Sequence, residues 1–131
     1  MTTTLIVDDE LDMRTLVRLI IELANDGLSV AGEAADGEEA LALWRSLKPP
    51  PVPDVLILDN RMPGLSGLDV AREILAELPS QVVILFSAHL DDDLRAAAAT
   101  IGIRACVDKR DIRDLPTTIR EVVNQPPSTV G

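Results

Sequence analysis

Val55-Leu56-Ile57-Leu58-Asp59 sets apolar residues in an unbroken row and ends the row on a carboxylate. An uninterrupted run of this kind suits a parallel strand covered on both faces, because a strand wetted on one side would alternate apolar with polar. The pattern recurs on either side. Leu5-Ile6-Val7 runs into Asp8-Asp9, and Val82-Val83-Ile84-Leu85-Phe86 runs into Ser87. Leu28 to Ala34 and Ile103 to Val107 read as two further strands, the second ending near Lys109.

Helical periods fill the gaps. Met13, Leu16, Val17, Ile20, Leu23 and Ala24 recur at spacings of three and four, and Asn25-Asp26-Gly27 stops that helix. Asp36-x-x-Glu39 and Ser66-x-x-Asp69 are capping patterns. They open helices whose expected inward faces are Ala40, Leu41, Trp44 and Leu47, and Leu68, Ala71, Ile74, Leu75 and Leu78. Asp91-Asp92-Asp93 reads as a solvated start to a helix faced by Leu94, Ala97, Ala98 and Ile101 and ended by Gly102. A last helix carries Leu115, Ile119, Val122 and Val123, with Pro116 in its first turn. The proline run 49–53 reads as a stiff extended spacer. Five β-α units in strict alternation predict one α/β domain, doubly wound, with a parallel sheet and right-handed crossovers. The expected domain spans 1–124, and 125–131 reads as a flexible tail or the start of a linker.

Composition narrows the function. The 131 residues carry 12 Lys and Arg against 22 Asp and Glu, a net charge of −10. So acidic a domain is repelled by phosphate backbones, which argues against direct nucleic acid binding and against anionic membranes. Aromatics are 2% of the chain, too few for a base-stacking platform. One cysteine excludes an internal disulfide, and with one histidine a structural zinc site is not expected. No apolar run approaches the ~18 residues that span a bilayer. The N-terminus lacks the basic region of a signal peptide, so the expected compartment is the cytoplasm.

Ligands of open α/β sheets bind beyond the carboxyl ends of the strands. There the sequence places Asp8, Asp9, Asp59, Ser87 and Lys109. Carboxylates crowded together repel one another unless a cation sits among them, and oxygen-only donors suit Mg²⁺ (or Mn²⁺). Lys109 and Ser87 are suited to grip phosphoryl oxygens, and Asp59 is the candidate nucleophile, forming an acyl phosphate. Taken singly, each residue has a plainer reading: a helix-start anion pair, a turn aspartate, a loop hydroxyl, a surface charge. Neither a P-loop nor a G-x-G-x-x-G pattern is present.

Val7-Asp8-Asp9-Glu10, Asp59-Asn60-Arg61-Met62-Pro63-Gly64-Leu65-Ser66-Gly67, Ser87-Ala88 and Lys109, in this order, resemble the receiver domain of two-component response regulators. The resemblance covers about residues 4–124. It implies a flavodoxin-like fold with strand order 2-1-3-4-5 and five helices. It implies phosphorylation of Asp59 by a sensor histidine kinase or phosphotransfer protein. Asp8, Asp9, Asp59 and the backbone carbonyl of Arg61 would hold the metal, while Ser87 and Lys109 would grip the phosphoryl group. Arg61, Ala88, His89 and Cys106 fall at switch or lifetime-tuning positions. Arg61 and His89 would border the phosphoryl group and govern access of hydrolytic water. The family usually has an aromatic residue where this chain has Cys106, and proline where it has Arg110. Cys106 otherwise reads as a small buried hydrophobe, and Trp44 as packing.

The implied readout is a partner protein or output domain docked on 91–124, with Arg95, Arg104, Arg110 and Arg113 as candidate contacts. Homodimerisation is a further option. Residues 30–41 are similar to receivers that precede a helix-turn-helix domain. One rival is a non-switching interaction module of the same fold. Another is an Asp-nucleophile phosphatase, which wants a second Asp two residues after the first, where this chain has Arg61.

Overall fold

The structure, a computed structural model, describes residues 1–47 and 52–124. Most of the proline run and all of 125–131 lie outside the described residues. Strands β1 (Thr2–Val7), β2 (Leu28–Ala34), β3 (Val55–Leu58), β4 (Val82–Ser87) and β5 (Ala105–Asp108) alternate with helices α1 (Leu11–Ala24), α2 (Gly37–Ser46), α3 (Gly67–Glu77), α4 (Asp92–Ile101) and α5 (Leu115–Asn124). The strands form one parallel sheet in the order β2-β1-β3-β4-β5. The expected flavodoxin-like architecture is therefore the observed one.

Alternation along each strand divides the core in two. Leu5, Val7, Leu56, Leu58, Val83 and Leu85 point to the face covered by α2, α3 and α4, where Trp44, Val70, Ile74 and Ala98 meet them. Ile6, Val55, Ile57, Ile84, Phe86 and Val107 point to the opposite face, against Val17, Ile21, Leu115, Ile119 and Val122 of α1 and α5. Burial on both sides is what the unbroken run 55–58 demanded.

The caps behave as the sequence predicts. Asp36 accepts from Glu39 N, Asp91 accepts from Leu94 N, and Ser66 with Asp69 forms a reciprocal capping box. Two expectations need correction. On α1 the buried residues are Val17 and Ile21, while Leu16 and Leu23 are 41% and 70% exposed. The inward face is rotated because α1 is apolar at so many positions that spacing alone selects no single stripe. Second, β5 begins at Ala105 rather than Ile103. The Ile103 N–H is spent on Ala98 O, closing α4 beside Gly102, whose φ of 108° a side chain would strain. In addition, a short 3-10 segment (Lys109–Asp114) precedes α5. Asp108 caps it, accepting from Arg110 N at 2.8 Å. Arg110 also reaches the same carboxylate with Nε at 3.0 Å. A proline in place of Arg110 would lack the backbone donor.

Candidate functional site: an acidic pocket at the carboxyl edge of the sheet

The carboxyl ends of β1, β3 and β5 bring Asp8, Asp59 and Lys109 together. β1 lies beside β3, and Asp59 N donates to Val7 O at 2.9 Å, so the two strand ends stay in step. Lys109 follows β5 and reaches across the edge: its Nζ lies 2.8 Å from Asp8 Oδ2 and 3.3 Å from Asp59 Oδ2. The ammonium also stands 5.9 Å from the centroid of the Phe86 ring, within cation–π range. Asp8 and Asp59 are only 2% and 4% exposed. Lys109 is the one lysine among the described residues.

Burial strains this arrangement electrostatically. It pushes the Asp59 carboxyl from its ordinary 3.8 up to about 6, with the Asp8 carboxylate adding to the rise and Lys109 opposing it. Burial pulls the Lys109 ammonium toward losing its proton, but its contacts with Asp8 and Asp59 outweigh that, and it holds the proton more tightly than a free lysine. The Asp8 carboxylate is divided in use. Oδ1 accepts from Glu10 N at 2.9 Å, fixing the loop that leads into α1. Oδ2 is buried without a well-directed hydrogen bond, its 2.8 Å contact with Lys109 being an ion pair.

Asp8, Asp9 and Glu10 each bring a carboxylate oxygen within 4.8 Å of the others. A hard divalent cation fits such a donor set: all oxygen, net negative, with one buried oxygen held by an ion pair alone. Glu10 was not among the sequence candidates, and its place directly after the acidic pair is the signal that was there to read. Asp59 is linked to this cluster through Lys109, whose Nζ contacts both Asp8 and Asp59.

The remaining candidates divide. Ser87 is buried at the end of β4, one strand over from Asp59, and its Oγ accepts from His89 N at 3.3 Å. Arg61, Ala88 and His89 are exposed on the loops after β3 and β4. Cys106 is half-buried on β5, paired with Leu85 and packed toward the side of the sheet that carries α4. Burial pushes its thiol up, against the pull of the nearby Arg95 charge, so it stays protonated near neutral pH.

Gly67 contributes without a functional group. A Cβ built on it would sit 2.4 Å from Asp59 O and 3.0 Å from Asn60 Cα. Gly67 N donates to Asn60 O, and Leu68 N donates to Asn60 Oδ1, so the start of α3 is clamped onto the backbone that presents Asp59. Gly67→Ala must displace that backbone. Overpacking of this kind costs about 1–3 kcal/mol. The expected outcome is a lower Tm, read by thermal melting.

Comparison with known proteins agrees with this fold. The response regulator receiver domain family matches residues 4–120, and the chain belongs to it. Protein CcdB of Bacillus subtilis is 37% identical over 109 residues, covering 83% of this chain and 86% of that protein. Response regulator GacA of Pseudomonas aeruginosa is 32% identical over 124 residues, 93% of this chain but 55% of that protein. The chain thus spans about half the length of GacA. Among solved structures, the CheX–CheY–BeF3–Mg²⁺ complex from Borrelia burgdorferi is similar with a TM-score of 0.85 at 25% identity, over 95% of this chain and 90% of that one.

Proposed function

We propose that residues 1–124 form a phospho-accepting switch in which Asp59 takes a phosphoryl group from a phosphohistidine on a sensor kinase or phosphotransfer protein. The observation that carries this reading is the largely enclosed ammonium of Lys109 spanning Asp8 at 2.8 Å and Asp59 at 3.3 Å. An Asp59 oxygen attacks phosphorus, the phosphorus–nitrogen bond of the donor breaks, and the imidazole leaves with a proton. The product is an acyl phosphate, which water returns to carboxylate and inorganic phosphate.

Asp8 and Asp9, with Asp59, Glu10 and the Arg61 carbonyl beside them, would hold Mg²⁺ or Mn²⁺. When bound, the ion offsets the pocket's negative charge and the charge that develops on the phosphoryl oxygens. The solved Borrelia relative that contains Mg²⁺ supports this. Lys109 is placed to move from its carboxylates to a phosphoryl oxygen, and Ser87 to donate its hydroxyl to another. The added charge of about −1.5 to −2 then biases the β4–α4 and β5–α5 region between two states. Exposed Arg95 and Arg113 on the 91–124 surface are candidate contacts for a partner or output domain. Among the described residues no helix is long and apolar enough to cross a membrane, and we place the domain in the cytoplasm.

Incubation with acetyl phosphate and Mg²⁺ should add the mass of one phosphoryl group to the intact protein, and only when Mg²⁺ is present. No addition would favour the rival reading of a docking module that does not switch. That rival draws on Cys106, which has no ring to move behind Ser87. Arg61 and His89 lie exposed on the loops that follow Asp59 and Ser87, and on that placement we assign them control of hydrolytic water. Arg61→Ala and His89→Ala should each change the dephosphorylation rate several-fold with Tm unaltered. Unchanged rates in both would remove that assignment.

A further inference from the structure

We infer that Arg14, locked by Glu33, is a positioning residue that sets the geometry of the acidic loop for its cation. The inference rests on the proposed metal-dependent function of the pocket. Arg14 lies on the first turn of α1, and its NH1 donates to the backbone carbonyl of Asp8 at 2.6 Å. The same guanidinium donates from Nε to Glu33 Oε1 on β2 at 3.2 Å. Glu33 is itself fixed on its other oxygen by Arg18, with Nε at 2.8 Å and NH2 at 2.6 Å. Arg14 is only 14% exposed and Glu33 24%.

These contacts leave Asp8 with no free backbone or Oδ1 group. Its N–H donates to Ala34 O at 3.1 Å, its carbonyl accepts from Arg14, and its Oδ1 accepts from Glu10 N. The direction in which the chain leaves Asp8 is therefore set from three sides. That direction decides where Asp9 and Glu10 present their oxygens. A planar guanidinium is suited to this work because it serves two acceptors on different elements at once, and a lysine serves them poorly. Arg14 touches neither the cation nor a phosphoryl group. It acts through the Asp8 carbonyl, as the partners behind metal ligands commonly do.

Position and charge make opposite predictions, which gives the test its force. A cation beside an acidic pocket repels a second cation, so if the charge of Arg14 were what mattered, its removal would tighten Mg²⁺ binding. If its geometry matters, removal weakens it. Mg²⁺ is titrated into metal-free protein while backbone amide NMR shifts of Asp9, Glu10 and Asn60 are followed. Tm without metal is recorded alongside. Arg14→Ala should weaken Mg²⁺ binding by about tenfold. Arg14→Lys should fall between Arg14→Ala and wild type, and Glu33→Gln, which keeps the side-chain shape but loosens the lock, should weaken binding by a smaller factor. Unchanged or tighter binding in Arg14→Ala overturns the inference. If Arg14→Ala does not fold, Glu33→Gln decides, and wild-type affinity there overturns it. Wild-type protein that fails to bind Mg²⁺ would instead overturn the reading of the pocket itself, and the brace with it.

Discussion

Asp59→Asn should gain no phosphoryl group from acetyl phosphate and Mg²⁺, and should melt at a higher temperature than wild type at pH 7. The loss follows from the amide, which is no nucleophile for this transfer. The gain follows from the pocket. Burial and the Asp8 charge raise the Asp59 carboxyl from 3.8 to about 6. A carboxyl raised on folding binds more protons folded than unfolded between these two values. Stability therefore falls as pH rises through that window, and the full penalty stands above it. A rise of this size corresponds to about 3 kcal/mol. The neutral amide would escape most of that cost, and Lys109 would keep Asp8 as its partner. The advantage should shrink as the pH drops below about 6 and vanish below about 4. Melting curves of both proteins across pH ~3.5–8, without metal, read the difference directly. A variant no more stable than wild type at pH 7 would mean that Asp59 is not strained by its surroundings.

Lys109→Met should have the opposite effect on stability and a similar effect on phosphorylation. The substitution keeps an unbranched apolar stem one atom shorter and removes the ammonium that stands over the Phe86 ring. What is removed is the charge that compensates two buried carboxylates. Breaking a buried ion pair from one side costs about 3–5 kcal/mol. The loss should grow as the pH rises past about 6, where Asp59 of the wild type ionises beside Lys109, and should narrow as Asp59 takes up a proton. Added Mg²⁺ should restore part of the lost stability, because a cation among the carboxylates replaces the missing one. In the proposed reaction the ammonium meets the incoming phosphoryl oxygens, so phosphorylation should slow sharply. Wild-type stability in Lys109→Met, or a deficit that Mg²⁺ leaves untouched, would separate Lys109 from the acidic pocket.

Both experiments probe residues that the sequence exposes through their places rather than their types. Asp8, Asp59, Ser87 and Lys109 stand where apolar runs stop, and a parallel sheet collects such stops along one edge. The gap of fifty residues between Lys109 and Asp59 is therefore no obstacle to reading them together. Caps were legible for a similar reason: Asp36, Ser66 and Asp91 act on backbone only a few residues away.

What escaped the sequence depends on contacts between elements. Leu16 and Leu23 read as core because α1 offers several apolar stripes, and only the packed sheet selects Val17 and Ile21. The 3-10 segment 109–114 is polar and carries no apolar period, so it showed no pattern. The closeness of Gly67 to Asp59 O is a distance across a loop, and glycine in a loop usually signals only a turn. Arg14 and Glu33 are separated by nineteen positions with nothing to mark them as a pair.

Trp44 offers a practical advantage for these measurements. It is the chain's one tryptophan, and there is no tyrosine. Its indole is fully buried near the end of α2 and donates to Gln81, which in turn donates to Pro53 O just ahead of β3. That anchorage lies at the amino edge of the sheet, the far pole from Lys109. Ultraviolet emission from this protein should therefore follow global unfolding while staying silent to cation loading, so chromophore and ligand signals need no deconvolution.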